Sequence, residues 1–288
     1  MIEFLRRLFK IEPQPKSVLT PKKVLKRKPK RWIMNLLFTI AMMAAVAYSF
    51  NKATYNEIRL RTFDISFQTM IRQLGMINWD FFFGREPWEF VDGIVFMTIQ
   101  TLAIAFLGTL LGAILALPFG FLASKNIVGK HVAVFGDFLL TVIRVFPEII
   151  LAIILVKGFG MNAFAGLLTI GLHSIGMLGK LFSETIDAMD KSPLEALDAV
   201  GATTFDKIRY GIIPQVLPDL TSVALYRLDI NVRSASVLGI IGAGGLGTTL
   251  LLAGDNWGWD TIGAIMIAII VMVVTVDIVS SYLRNKLI

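Results

Sequence analysis

Charge set inside apolar sequence is the first chemistry this chain offers. Arg144 and Glu148 stand four residues apart around Pro147, and Asp229 and Arg233 stand four apart further on, each pair within a long hydrophobic stretch. On one helix, residues at that spacing share a face and can pair. Arg227 is left over, and Asn231 adds a neutral polar group between the members of the second pair. Three positive and two negative groups leave a surplus of +1 per chain. Charges at membrane depth face a bundle interior or a wet cavity, because exposing them to lipid costs about 2.5 to 3.5 kcal/mol or more. One reading is a mildly positive pathway for an anion, which arginine binds through paired donors. The other is structural: the pairs hold the bundle together, and Arg227 reaches the interface along its aliphatic stem.

Other chemistry is scarce. The 288 residues include no cysteine and two histidines, which excludes disulfides, thiolate metal sites and thiol catalysis and leaves little for zinc. His173 invites a proton-relay role, but no second titratable residue lies one helical turn from it, so hydrogen-bonded packing is the plainer reading. Lys180 and Glu184, four apart, read as a pair at the membrane boundary. Gly242, Gly244 and Gly247 satisfy the G-x-G-x-x-G dinucleotide pattern. They lie inside an apolar run with no strand before them, so the pattern carries little weight. Together with Gly239 and Gly245 they mark a backbone break near a moving gate, since glycine permits unusual torsions and close contact.

The elements that must hold these groups are membrane helices. The chain is 55% hydrophobic and 17% charged, against roughly 25% charged in a soluble domain. A crossing needs about 20 largely apolar residues. Six candidates meet that length: 33–50, 93–123, 132–156, 163–181, a broken span within 218–253, and 262–282. In the second, Gly108, Gly112, Ala116 and Gly120 recur every four residues and offer one face for close helix packing. Residues 1–31 hold 11 Lys/Arg and 2 acids, whereas the rest holds 17 and 19, so the net charge of +7 is an end effect. That bias predicts a cytoplasmic N-terminus, and six crossings return the C-terminus to the same side. It also points to a membrane surface and not to nucleic acid, whose binders spread charge over a folded face. Within 1–11, Ile2, Phe4, Leu5, Leu8 and Phe9 among three basic residues fit a surface helix. A cleaved leader is the rival to a retained first span, but it would be about twice the usual 15 to 30 residues. The expected divisions are a basic arm at 1–31, a first membrane helix and external loop at 32–90, and a five-helix core at 91–288 with a cytoplasmic loop at 182–217.

That loop carries strong local signals. Ser192, Pro193 and Glu195 form a capping-box pattern that predicts a helix start with Ser192 as the cap. Gly201 should stop this helix after about two turns. Thr203 or Thr204 can cap a second short helix through Asp206, Ile208 and Tyr210, limited by Pro214. Two short helices joined at a glycine make a knob suited to docking on another protein; an ordinary surface loop is the alternative.

The segment EALDAVGATTFDKIRYGIIPQVLP resembles the EAA loop of ABC-importer permeases, with Glu195, Ala196, Gly201, Ile213, Leu217 and Pro218 at matching positions. RVFPEIILAIILV, LHSIGMLGKLFSETID, YGIIPQVLP and YRLDINVRSASVLGIIGAGGLG, in that order, resemble the permease subunit of phosphonate-uptake ABC transporters over about residues 90 to 283. Ser174 stands where the family has threonine and Asp229 where it has glutamate, changes that keep the chemistry.

The resemblance implies an all-α, polytopic membrane protein of about six helices with the type I, MetI-like permease fold of a bacterial inner membrane. It implies a homodimer, two ATPase subunits that carry ATP and magnesium, and an extracytoplasmic phosphonate-binding protein. The loop would then enter a cleft on the ATPase. No G-x-x-x-x-G-K-[S/T] loop is present, so ATP binding must be supplied in trans. Phosphite or phosphate is an alternative cargo. An ion-coupled secondary transporter would use the broken fifth span and His173, but no inverted repeat is visible and the knob would lack a purpose. A membrane enzyme would need a metal or nucleophile constellation, and none is apparent.

Overall fold

The computed structural model describes residues 31–52, 63–77, 79, 93–255 and 258–287, in two units divided at residue 63. The expected surface helix at 1–11 and most of the external loop lie outside the described residues. The first unit contains α1 (Arg31–Lys52), which starts and ends within two residues of the first expected span.

The second unit is built around three helices long and apolar enough to span a bilayer, together with shorter or less apolar ones. It comprises α2 (Phe63–Leu74), α3 (Ile94–Ala123), α4 (Lys125–Val128), α5 (Lys130–Val145), α6 (Glu148–Phe159) and α7 (Ala163–Ala188). Then come α8 (Ser192–Ala199), α9 (Thr204–Asp206), α10 (Ile213–Leu238), α11 (Leu246–Asp255) and α12 (Trp259–Leu287). Among the described residues four helices are long and apolar enough to cross a membrane, and six spans result if each of two bent pairs counts as one.

The crossing of α3 and α7 organises this unit, and small residues make it possible. A Cβ at Gly108 would stand 2.9 Å from Ile170, one at Gly112 2.7 Å from the Ser174 Cβ, and one at Gly120 2.9 Å from Phe182. The four-residue stripe is therefore the contact face, as its spacing predicts. On the other side of α7, Gly176 admits the backbone of α5 at Leu140 and Arg144. Around this crossing Ile104, Ile170, Leu238, Leu246 and Ile265 form one apolar core, and Leu178, Phe182, Ile186, Ile212 and Val216 form a second. Asp187 ties the α3–α5 connection to α7, accepting from the Ser124 hydroxyl at 2.6 Å and the Asn126 N–H at 3.1 Å.

Two expectations about the spans need correction. The third span is not one helix: α5 and α6 meet at 75° across Phe146 and Pro147. Proline brings no N–H and its ring crowds the carbonyl four residues back, which is enough to end α5 there. Pro214 does not limit the second loop helix either. Residues Lys207–Ile212 wind as a π-helix and feed directly into α10, with Pro214 in its first turn and Pro218 inside it. A wider turn accommodates the missing donors without breaking the chain. The glycine break falls where expected: Gly239–Ile241 tightens to a 3-10 turn, and Gly242, Gly244 and Gly245 have φ of 91°, 84° and 74°. There α11 departs at 41°.

Candidate functional site

The projecting loop is a short helical pair with its own bracing. Gly201, at φ 77°, ends α8, and the Ala202 N–H reaches back to the Leu197 carbonyl at 3.0 Å, a Schellman closure. Thr203 starts α9 through a reciprocal box: the Asp206 N–H donates to its hydroxyl oxygen at 3.3 Å, and its own N–H donates to the Asp206 carboxylate at 3.2 Å. Lys207 pairs with Asp198, and Leu194 and Leu197 close over Gly211, which bind the two pieces together.

The start of α8 corrects the expected capping box. Lys191 occupies the cap, and Ser192 lies inside the helix with no side-chain bond from Glu195. Asp190 acts instead, accepting from the Ser192 N–H at 3.1 Å and from its hydroxyl at 3.0 Å. These bonds hold the Asp190 carboxyl below the usual carboxylate range. An aspartate two residues before a Ser-Pro start is a recognisable Asx-turn signal. Glu195 and Ala196 lie exposed on α8, and Tyr210, Ile213 and Leu217 are exposed apolar side chains further along the chain. Val200 is 79% and Phe205 67% exposed, so the tip presents apolar side chains outward.

Inside the spans, polar side chains of α3, α7 and α10 converge. Asn231, fully buried, donates to the Thr109 hydroxyl at 2.8 Å and the Ser174 hydroxyl at 3.0 Å. Arg227, 4% exposed, donates through Nε to the same Ser174 oxygen at 3.2 Å and through Nη1 to the Met177 sulfur at 3.0 Å. Its Nη2 and the Asn231 Oδ1 have no hydrogen-bond partner among the described residues. Arg227 thus does not reach the interface. It is held between α7 and α10, and among the described residues no carboxylate is in ion-pair contact with it.

The two expected ion pairs part company. Arg233 and Asp229 do pair along α10. Arg144 and Glu148 do not share a helix face, because the break at Pro147 separates them. Glu148 turns to α10 instead, accepting from the Ser234 hydroxyl at 3.1 Å. Arg144 is exposed. Lys180 reaches Asp137 at 2.5 Å, with Glu184 a looser partner at 3.9 Å.

The glycine break is gripped from α3. Gln100 accepts from the Gly245 N–H at 2.8 Å, Thr101 accepts from the Leu246 N–H at 2.9 Å, and Thr248 donates to the Gly239 carbonyl at 3.0 Å. A side chain at Gly239 would meet the Gly247 Cα at 2.6 Å, so the segment folds tightly on itself. Sequence reasoning missed Gln100, Thr101 and Thr109. Their helix reads as uniformly apolar, and a lone polar residue there signals neither role nor partner.

Residues 108–287 match the family described as binding-protein-dependent transport system inner membrane component. The chain is 39% identical to the phosphite transport system permease protein PtxC of Stutzerimonas stutzeri, over 65% of this chain and 68% of that protein. It is 43% identical to PhnE2 of Escherichia coli K12, a protein named for cryptic phosphonate transport, over 42% of this chain and all of that one. Among solved structures, a chain of the inward-facing MetNI methionine ABC transporter superposes with a TM-score of 0.61 at 21% identity, covering 70% of this chain and 99% of that one. The last likeness shows the fold alone.

Proposed function

Because the chain belongs to the family of binding-protein-dependent transport system inner membrane components, we propose that it is the permease subunit of an ABC importer carrying phosphonate or a close phosphorus oxyanion inward. The relatives named for phosphite and phosphonate transport support that cargo. The observation that carries the reading is the braced helical knob between α7 and α10, inside the matched region, with an apolar tip turned outward. A permease with no phosphate-binding loop of its own needs such a projection to receive work done elsewhere.

In this reading two copies of the chain form the pore, two ATPase subunits bind ATP and magnesium below, and a binding protein delivers cargo from outside. The chain performs no hydrolysis itself. Its N-terminus, knob and C-terminus face the cytoplasm, in line with the 11 basic residues before the first span. Closure of the ATPases drags the knob, and the π-helical turn at Lys207–Ile212 passes that movement into α10, where the intramembrane charges lie. Reconstituting the chain with its ATPase and binding protein in liposomes tests the assignment. Uptake of labelled methylphosphonate or phosphite that requires all three components and hydrolysable ATP is the expected result. Uptake without the ATPase would refute it.

A further inference from the structure

The short helix α2 carries a sharply divided surface. Phe67, Met70, Ile71 and Leu74 recur at helical spacing and share one side, while Asp64, Gln68, Thr69, Arg72 and Gln73 take the other; Ile65 alone departs. Met70 and Leu74, along one edge of the stripe, are partly buried, whereas Phe67 and Ile71 along the other edge are 47% and 53% exposed. Asp64 accepts from the Gln68 amide at 3.2 Å, and its charge is offset by Arg72, so the polar side has no net charge.

Two contacts fix the level at which this helix ends. A Cβ at Gly263 would collide with the Leu74 carbonyl oxygen, so the end of α2 rests directly on the backbone of α12. Just beyond it, Ile77 packs on the apolar core that contains Ala264 and Ile265. Gly263 is the second residue of the apolar run 262–282, which puts the end of α2 at the edge of the hydrocarbon and not above it. One and two turns further into the span, Met266 and Ile270 lie exposed on the side of α12 that bears Gly263. The stripe of α2 thus meets the surface that α12 turns to lipid. Trp79, five residues past the helix, is exposed, and tryptophan is the side chain that collects where a membrane meets water.

We propose that α2 is an interfacial helix, lying at the headgroup boundary of the outer leaflet with Phe67 and Ile71 in the acyl region and Gln68 and Arg72 in water. The choice of leaflet rests on the orientation in the reading above, which makes the segment between α1 and α3 extracytoplasmic; the depth rests on the contact at Gly263. Fastened there, the helix holds the outer end of α12 at a set depth in the bilayer. A binding protein docking from outside would need this face above the hydrocarbon edge, whereas the Gly263 contact ties it to that edge. Because Asp64 and Arg72 cancel, attachment comes from apolar area and needs no anionic headgroup, unlike that of a basic surface helix.

The test uses single spin labels on the full-length chain, which has no cysteine of its own. In nanodiscs of phosphatidylcholine, labels at Phe67→Cys and Ile71→Cys should collide several-fold more with oxygen than with a water-soluble nickel chelate, and labels at Ile65→Cys, Gln68→Cys and Arg72→Cys should show the reverse. Adding phosphatidylglycerol should leave this pattern unchanged. A label in the stripe perturbs what it measures, so a second arm leaves the reporter outside it: Gln68→Cys is read alone and beside Ile71→Asp, and the aspartate should free the helix, narrow the label's lines and raise its nickel collisions several-fold. A ratio that does not vary around the helix, labels at 67 and 71 shielded from both reagents as under a protein partner, a pattern that appears only with the anionic lipid, or an Ile71→Asp spectrum identical to its parent would each overturn the proposal. In intact cells, Arg72→Cys should react from outside with an impermeant thiol reagent. Reaction only after the membrane is opened would overturn the orientation and the outer leaflet with it, even with the oxygen profile intact. A lost oxygen profile with labelling from outside would overturn the interfacial helix and leave the transport reading standing.

Discussion

Gly201 offers a substitution series in which backbone and contact effects separate cleanly. Its φ is 77°, and a Cβ built there meets nothing within 4 Å, so a side chain costs conformational energy without a clash. Left-handed backbone costs an L-residue about 1 to 2 kcal/mol, least for asparagine and most for a β-branched residue. Gly201→Asn should therefore be nearly silent, Gly201→Ala intermediate and Gly201→Val worst. The knob is fastened by the Thr203–Asp206 box, the Lys207–Asp198 pair, the closure at Ala202, the contact of Leu194 and Leu197 with Gly211, and the packing of Leu194 and Ile208 on the second core. A loss of about 1.4 kcal/mol shifts its ordered population tenfold. Limited proteolysis between α8 and α9 should rise in the order Asn, Ala, Val, and ATP-driven uptake in liposomes should fall in the same order while membrane insertion stays normal. If Asn were as damaging as Val, the position would matter for a docking contact and not for its backbone. Wild-type coupling in Gly201→Val would show that this knob does not transmit the stroke.

Other outcomes follow from the same structure. A cysteine placed at Lys191 in this cysteine-free chain should resist an impermeant thiol reagent in intact cells and react once the membrane is opened; labelling from outside would invert the topology. Gly112→Ala puts a Cβ 2.7 Å from that of Ser174 and 2.8 Å from the Gly171 carbonyl, and should lower stability by about 1 to 3 kcal/mol, read as a drop in unfolding midpoint in nanodiscs. A midpoint at or above wild type would mean that the α3–α7 crossing relaxes freely. Asp190 has a depressed pKa in the fold, so its support of α8 is complete above the ordinary carboxylate range and fades as pH falls through the depressed value. Asp190→Asn should flatten the acid-side rise in proteolysis at the loop, and an unchanged profile would place the sensitivity elsewhere.

Much of this architecture is written locally in the chain. Run length fixes the spans because a bilayer demands about 20 apolar residues. The Gly108, Gly112, Ala116 and Gly120 spacing fixes a contact face because a helix repeats near every fourth residue. Gly201 and Thr203 fix a stop and a start because their backbone and hydroxyl preferences act within one turn. The Asp229–Arg233 pair belongs to the same class, since both members ride one helix. Partners far apart in sequence are another matter. Spacing makes Arg144 and Glu148 look like a pair, but the bend at Pro147 sends Glu148 to Ser234, 86 residues away. Arg227 looks free to snorkel until α7 closes over it with Ser174 and Met177. Gln100 and Thr101 acquire their task only when the glycine break folds against α3, 145 residues downstream. Helix periodicity says which side of a helix is polar. Only packing, in which each buried donor seeks whichever acceptor the crossing helices bring near, decides what that side meets.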